Sequence, residues 1–326
     1  MGAAMRLLVT GGAGFIGSNF VRRQVNSPYW SSIVVLDSLT YAGNLANIAV
    51  CESDTRYQFV KGDILDQKLV EDLIKKTDVL VHFAAESHVD RSIVNPHKFV
   101  ETNVLGTHVL LRAALGVENL KFIHVSTDEV YGSIEHGSWP ETHPINPNSP
   151  YSASKASSDL LALSYFRTFG LDVRVTRCSN NYGPFQFPEK IIPLFVTNII
   201  EGKKVPMYGT GLNIRDWLHV DDHCRGIELV IEKGLPGEIY NLGGGKELTN
   251  MDLTLRILQL MGKDADSIVK VADRKGHDHR YSVDIAKAIT QLGYEPMIDF
   301  DEGLSETIKW YEENSEWWHK LKDIQT

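Results

Sequence analysis

The chain is expected to adopt an α/β fold: a doubly wound, Rossmann-like parallel sheet with a smaller, mostly C-terminal substrate-binding lobe. Three observations carry that expectation. Short β-branched runs alternate with longer helical patterns through the first half. The first run leads straight into a glycine-rich turn, TGGAGFIGSNF, and the second ends on an acid, Asp37. Beyond Asn181 the alternation gives way to loop-rich sequence such as YGPFQFPEKIIP.

The expected strands are RLLVT (6–10), IVVLD (33–37), YQFV (57–60), VLVHF (79–83), KFIHVS (121–126) and DVRVTR (172–177). They are apolar on both faces, as strands buried in a parallel sheet tend to be. Helical patterns lie around 15–26, 68–76, 97–115 and 151–169. The four prolines between Pro140 and Pro150 demand an irregular loop. A strand-like EIYNLGG (238–244) and three further helical stretches follow. This divides the chain into a dinucleotide-binding half, 1–181, and a lobe, 182–326, with the segment at 238–244 returning to the first half. The aromatic stretch WYEENSEWWHK reads as core packing and an amphipathic terminal helix.

Composition narrows the function. The chain has 326 residues, 43% hydrophobic and 23% charged, ordinary for a globular protein. With 33 Lys and Arg against 42 Asp and Glu the net charge is −9, so the broad positive field of a nucleic-acid binder is missing. Three scattered cysteines form no CxxC pair, which excludes a disulfide framework and a cysteine-rich zinc site. No apolar stretch is long enough to span a bilayer, and MGAAMR has neither a signal-peptide profile nor a myristoylation signal. A cytoplasmic, reduced protein without nucleic-acid or membrane partners is expected.

Gly11, Gly14 and Gly17 fall three apart before a helix begins. Glycine there permits a tight turn and lets backbone N–H groups reach a pyrophosphate. Such glycines are common at strand–helix junctions, but here a strand precedes, a helix follows, and Asp37 ends the next strand. An acid at that point accepts both ribose hydroxyls and repels the extra phosphate of NADP, so NAD is the expected cofactor. Asp63, after the third strand, is placed either to meet an adenine or simply in a polar loop. The small Ala84 and Ala85 let backbone approach a cofactor or pack tightly.

Tyr151 and Lys155 lie four apart and share one helix face. A tyrosine with a reference pKa of roughly 10 is a poor base at neutral pH, and a nearby ammonium lowers that value. Alone the pair reads as a helical surface pair; behind a dinucleotide fold and a strand ending in Ser126 and Thr127 it reads as catalytic. Ser126, Thr127, Asp128 and Glu129 pose a different problem. Two adjacent acids suit a solvated turn, or a site that needs separate proton handlers. In a strand they would point to opposite faces, so the backbone must leave strand geometry after Thr127 for both to reach one ligand.

Together the glycine turn, HFAAESHVD, STDEVYG, YSASK and NNYGP resemble the extended short-chain dehydrogenase/reductases acting on nucleotide sugars. Within that family DSLTYAGN, the Asp-Glu pair and DRKGHDHRY are similar to the dTDP-glucose 4,6-dehydratases, and the match runs from about Val9 to Tyr281. The resemblance implies a homodimer built on the helices near 97–115 and 151–169. It also implies a reaction that oxidises C4 of the sugar, eliminates water across C5 and C6, and returns the hydride to C6. By resemblance Glu129 takes the C5 proton, Asp128 protonates the leaving hydroxyl, Tyr151 deprotonates the C4 hydroxyl with Thr127 bonded to it, and Lys155 supports Tyr151. The implied cofactor set adds Phe15, Ile16, Leu39, Thr40, Ile64, Thr102 and Asn181. The implied nucleotide-sugar set is Ser87, Thr127, Asn180, Lys190, Tyr208, Arg215, Asn250, Arg274 and His277, with Arg215 and Arg274 on the diphosphate. His277, Asp278 and His279 hint at a metal, but no further ligands support one and none is expected. A 4-epimerase or a UDP-glucuronate decarboxylase of the same fold is the nearest rival; a GDP-mannose dehydratase fits the motifs less well. A non-catalytic NAD-binding regulator is the rival from another class.

Overall fold

The computed structural model describes residues 4–273 and 276–323. Its strands are β1 (Met5–Thr10), β2 (Trp30–Asp37), β3 (Tyr57–Lys61), β4 (Val79–His82), β5 (Lys121–Thr127), β6 (Asp172–Cys178), β7 (Asn180–Tyr182), β8 (Val205–Tyr208), β9 (Ile214–His219), β10 (Ile239–Leu242), β11 (Glu247–Thr249) and β12 (Ile268–Val271). Its helices are α1 (Phe15–Gln24), α2 (Gln67–Ile74), α3 (Val89–Val94), α4 (Pro96–Phe99), α5 (Thr107–Ala114), α6 (Pro150–Phe169), α7 (Ile191–Ile200), α8 (Val220–Lys233), α9 (Asn250–Leu260), α10 (Ala286–Leu292), α11 (Phe300–Glu313) and α12 (Ser315–Asp323).

Seven strands form one parallel sheet in the order β3-β2-β1-β4-β5-β6-β10. The apolar residues on both faces of its central strands explain its depth. Leu7 and Val9 of β1 face one core with Phe20 of α1 and Ile227 of α8, while Leu8 faces another with Val70 of α2, Leu111 of α5 and Leu163 of α6. Period-two alternation thus buries both faces under helices. A third core lies apart from the sheet, where α7, α9 and α11 close over Trp217 and Trp318. Around it run two small sheets, β11-β9-β7 and β12-β8.

Several elements differ from the sequence reading. The helix expected over 97–115 is three joined pieces: α4, a π-helical segment Val100–Gly106, and α5. The wider π turn coincides with Asn103, whose side chain bonds the Glu86 backbone and the Ser154 hydroxyl. The stretch read as loop-rich contains α7 and α8. Helix α7 is apolar nearly all round, so it shows no amphipathic period, and Pro193 sits in its first turn where proline is tolerated. Four helices, not three, follow β10. Among the described residues no helix is long and apolar enough to cross a membrane, and no group of His, Cys, Asp or Glu is arranged to hold a metal ion.

One buried charge cluster ties the sheet to α6. Arg177 Nε of β6 lies 2.9 Å from Asp159 Oδ2, and His124 Nε2 of β5 lies 3.2 Å from Oδ1. Burial opposes ionisation of Asp159, but the Arg177 charge and the adjacent His124 outweigh it and take the carboxyl down to about 2. Its folded pKa lies below the unfolded value, so its contribution is present above that value and lost as pH falls toward about 2. Replacing Asp159 by Asn leaves Arg177 buried without a counter-charge. Urea unfolding should show a loss of about 3–5 kcal/mol at neutral pH, shrinking in acid.

Candidate active site

A single long cleft lies outside the carboxyl ends of the sheet strands, where the strand order turns back between β1 and β4. At one end is the glycine turn. Gly11 adopts φ +71°, and a Cβ there would lie 2.5 Å from the Ala84 nitrogen; one at Gly17 would lie 2.3 Å from the Gly11 carbonyl oxygen. Backbone therefore packs directly on backbone, and α1 starts at Phe15 with Gly14 as its cap and no capping side chain. That leaves the first N–H groups of α1 turned to the cleft, where an anion is favoured.

Asp37 closes the turn from the side. Its two oxygens accept the Ala13 N–H at 2.9 Å and the Leu39 N–H at 2.8 Å. Burial raises its pKa while these two bonds lower it. Phe15, Ile16, Thr40, Asp63, Ile64, Ala84, Ala85 and Thr102 also line the cleft. Asp63 Oδ1 accepts the Leu65 N–H at 2.9 Å, which fixes the loop. Leu39 instead lines a hollow on the outer side of its own loop. Beneath this end a buried chain runs from Thr10 through His82 and Thr107 to Asn103.

The other end holds the acids. Strand β5 stops at Thr127, and a 3-10 turn, Asp128–Tyr131, begins at once. The Thr127 hydroxyl accepts the Glu129 N–H at 3.3 Å and so caps the turn. The chain does leave strand geometry there, and Thr127, Asp128 and Glu129 all line the cleft. Asp128 is 3% exposed. Burial first, then the charges of Glu129 and Asp216, push its pKa well above the usual carboxylate range against the pull of Arg215 and Thr127.

Tyr151 and Lys155 project from the first turns of α6, which Ser149 and Ser152 start with a reciprocal capping box and Pro150 at the first position. Lys155 Nζ donates to the Val125 carbonyl at 2.8 Å, and burial takes its pKa down to about 8. The expectation that this ammonium lowers the Tyr151 pKa is not met. Burial dominates, the charges of Glu129 and Asp128 add to it, and the phenol is pushed up despite the pull of Thr127.

Ser87, Asn180, Asn181 and Lys190 line the same cleft. The Asn181 amide oxygen faces His223 Nδ1 at 2.9 Å, and burial keeps that imidazole neutral with its pKa at about 3. Arg215, Tyr208, Asn250 and His277 stand in the facing lobe instead. The Arg215 guanidinium is 8% exposed, stacks 4.3 Å from the Tyr281 ring centroid and donates to the Ile214 and Asp278 carbonyls. Tyr208 ends β8 beside Val271, and Asn250 opens α9 with its N–H on the Asn213 carbonyl. His277 Nδ1 lies 2.7 Å from Asp273 Oδ1. Arg274 lies outside the described residues.

The chain is similar to known proteins in sequence and fold. The family model described as GDP-mannose 4,6 dehydratase matches residues 8–307. A dTDP-glucose 4,6-dehydratase of Streptomyces antibioticus is 62% identical, with 98% of this chain and 96% of that protein covered. The chain belongs to the dTDP-glucose 4,6-dehydratase family. The crystal structure of DesIV, a family member from Streptomyces venezuelae with NAD and TYD bound, superposes with a TM-score of 0.96 at 58% identity, covering 97% of this chain and all (100%) of that one. A UDP-glucuronic acid 4-epimerase from Bacillus cereus, solved with UDP-glucuronic acid and NAD, shares the fold at a TM-score of 0.90 and 30% identity, covering 95% and 99% of the two chains.

The sequence reading missed several side chains of this dehydratase-family cleft, notably Tyr41, Glu86, Lys98, Cys178, Phe187 and Glu189. Tyr41 and Glu189 sit inside quoted stretches, DSLTYAGN and the loop-rich YGPFQFPEKIIP, yet no spacing rule singles them out.

The raised pKa of Asp128 has a testable cost. The folded state holds this proton more tightly than the unfolded chain, so ionisation of the carboxyl erodes stability as pH rises above its unfolded value. Asp128→Asn should therefore stabilise the protein at pH 7 by about 0.5–2 kcal/mol in urea titrations, with the gain vanishing toward pH 4.

Proposed function

We propose that the chain dehydrates dTDP-glucose to dTDP-4-keto-6-deoxyglucose with NAD as a resident cofactor. The observation that carries this reading is the pair of carboxyls beside Tyr151, one of them buried and held protonated. The cradle at Gly11 and Gly17, which any Cβ would fill, and the Asp37 carboxylate fit a dinucleotide. Bound there, NAD supplies a hydride acceptor for C4 oxidation and the donor for C6 reduction.

The protein's own groups handle the protons. Tyr151 takes the proton of the C4 hydroxyl, which Thr127 orients. The Lys155 ammonium provides the positive charge that a phenolate requires in this buried setting. Oxidation at C4 acidifies the C5 proton, and Glu129 removes it. Asp128, kept neutral by burial and by its neighbour, gives its proton to the departing C6 hydroxyl. One group would serve both tasks badly; two carboxyls in different environments divide them. A 4-epimerase has no use for this pair, and a decarboxylase needs only one such acid. Arg215 in the facing lobe is the diphosphate partner, its fork oriented by the Tyr281 stack. We assign residues 1–181 with β10 to the cofactor and 182–326 to the nucleotide sugar.

Mass spectrometry of dTDP-glucose after incubation with the protein and NAD should give a product lighter by one water with no net NADH. Glu129→Gln and Asp128→Asn should each slow turnover by about 10²–10⁴-fold. In a single turnover Glu129→Gln should show cofactor reduction without water loss. An unchanged mass with a new stereocentre would overturn the dehydratase reading in favour of an epimerase.

The chain pairs as a homodimer in the cytoplasm under the same reading. Val100, Leu105, Leu160 and Phe169, on the π segment and α6, are each at least half exposed, an apolar face that a second copy can cover. Light scattering should give a dimer for the native chain and a monomer for the Leu105→Glu, Leu160→Glu double variant.

A further inference from the structure

Three loops meet over the cofactor end of the cleft, and each contains a non-glycine residue in the left-handed region. These are Leu39 (φ 54°), His88 (φ 111°) and Phe185 (φ 69°), three of the four such residues among those described. Backbone held in that region costs energy and persists only where surrounding contacts overdetermine it. Phe185 packs on Trp310 and Trp317, while Tyr41 ties the three loops to one another. Its hydroxyl donates to the Ser87 carbonyl at 2.7 Å, and its ring meets Phe187 edge-on with centroids 5.4 Å apart. Arg91 covers the other face, its guanidinium carbon 3.7 Å from the ring centroid, and its Nε donates to Glu189 Oε2 at 3.0 Å. Arg91 thus joins α3 to the loop after β2 and the loop before α7, and Tyr41 adds the loop after β4.

The segment pinned by this cluster is a thin partition. Thr40, Tyr41 and Gly43 line the cleft on one side and, on the other, an open hollow of about 1090 Å³ bounded by Trp317 and Lys320 of α12. A swing of Tyr41 away from Arg91 would join the two spaces beside Asp37 and the glycine turn.

We propose that Arg91 latches the 39–43 segment shut, and that this segment is the door through which the dinucleotide exchanges. The inference rests on the cofactor reading above. A reaction that returns its hydride to the sugar regenerates the cofactor in place, so a door that stays shut through many turnovers costs no activity. Arg91 is a positioning residue: it does not line the cleft and acts through Tyr41 and Glu189. The Arg91–Glu189 pair is partly exposed and modest by itself; the planar stack on Tyr41 adds to it.

The test measures release of radiolabelled NAD from the loaded protein into excess unlabelled NAD, and uptake by the stripped protein. Arg91→Met should speed both release and uptake by about tenfold, the loss expected of one exposed ion pair plus one stack. The dissociation constant should move much less than either rate, since a latch sets a barrier rather than a contact. Arg91→Lys, which keeps the charge without the planar stack, should fall between, and a fold check by thermal melting accompanies both. Native-like rates in both folded variants would overturn the proposal. So would faster release with unchanged uptake, which would make Arg91 a plain binding contact. Failure of the native chain itself to hold NAD would remove the cofactor reading and the latch with it.

Discussion

Desolvation at the end of β5 is the constraint on which the rest of the site depends. A carboxyl in water ionises near pH 4, and an ionised Asp128 could not donate a proton. Burying it to 3% exposure beside the charge of Glu129 reverses its preference. The surrounding architecture sustains that burial. The 3-10 turn after Thr127 puts both acids on one floor, and the Tyr131 ring of that turn stacks on Arg177, which is itself held by Asp159. The two carboxyls are therefore supported from below by a charge cluster that does not line the cleft.

The two ends of the cleft solve opposite problems. The cofactor end must bring backbone close to an anion, and it does so by omitting side chains: Gly11 and Gly17 leave no room for a Cβ. The acid end must keep charge out, and it does so by crowding side chains together, so that Asp128, Tyr151 and Lys155 all shift toward their neutral forms for the same reason. The state of Tyr151 follows from this. With Lys155 turned to the Val125 carbonyl, burial rather than the ammonium sets the phenol's proton affinity. Both ends share the polar chain from Thr10 to Asn103, whose bonds to Glu86 and Ser154 link the cofactor wall to the helix that carries Tyr151.

How much was legible depended on whether a signal was local. The first six strands could be read because they are short and β-branched and most carry apolar residues on both faces, a pattern that a covered parallel sheet explains. Helix α7 was hidden for the converse reason: apolar nearly all round, it has no period to detect. The glycine turn, Asp37 and the Tyr151–Lys155 pair announced themselves through spacing within one element. Arg91 on α3 and Tyr41 and Glu189 on their loops did not, since each is ordinary in its own segment and only the fold brings the three together.

By itself the sequence determined the parallel α/β class, the glycine cradle, the acid ending the second strand and the presence of two adjacent carboxyls after the fifth, because periodicity and short-range spacing are properties of the chain alone. Only the tertiary structure decided which carboxyl keeps its proton, where Lys155 directs its ammonium, that a π segment interrupts the helix over the cleft, and which loops close the cofactor end. Proton affinity depends on how much water surrounds a group and which charges stand near it. Those neighbours come from segments far apart in the chain, so no local pattern encodes them.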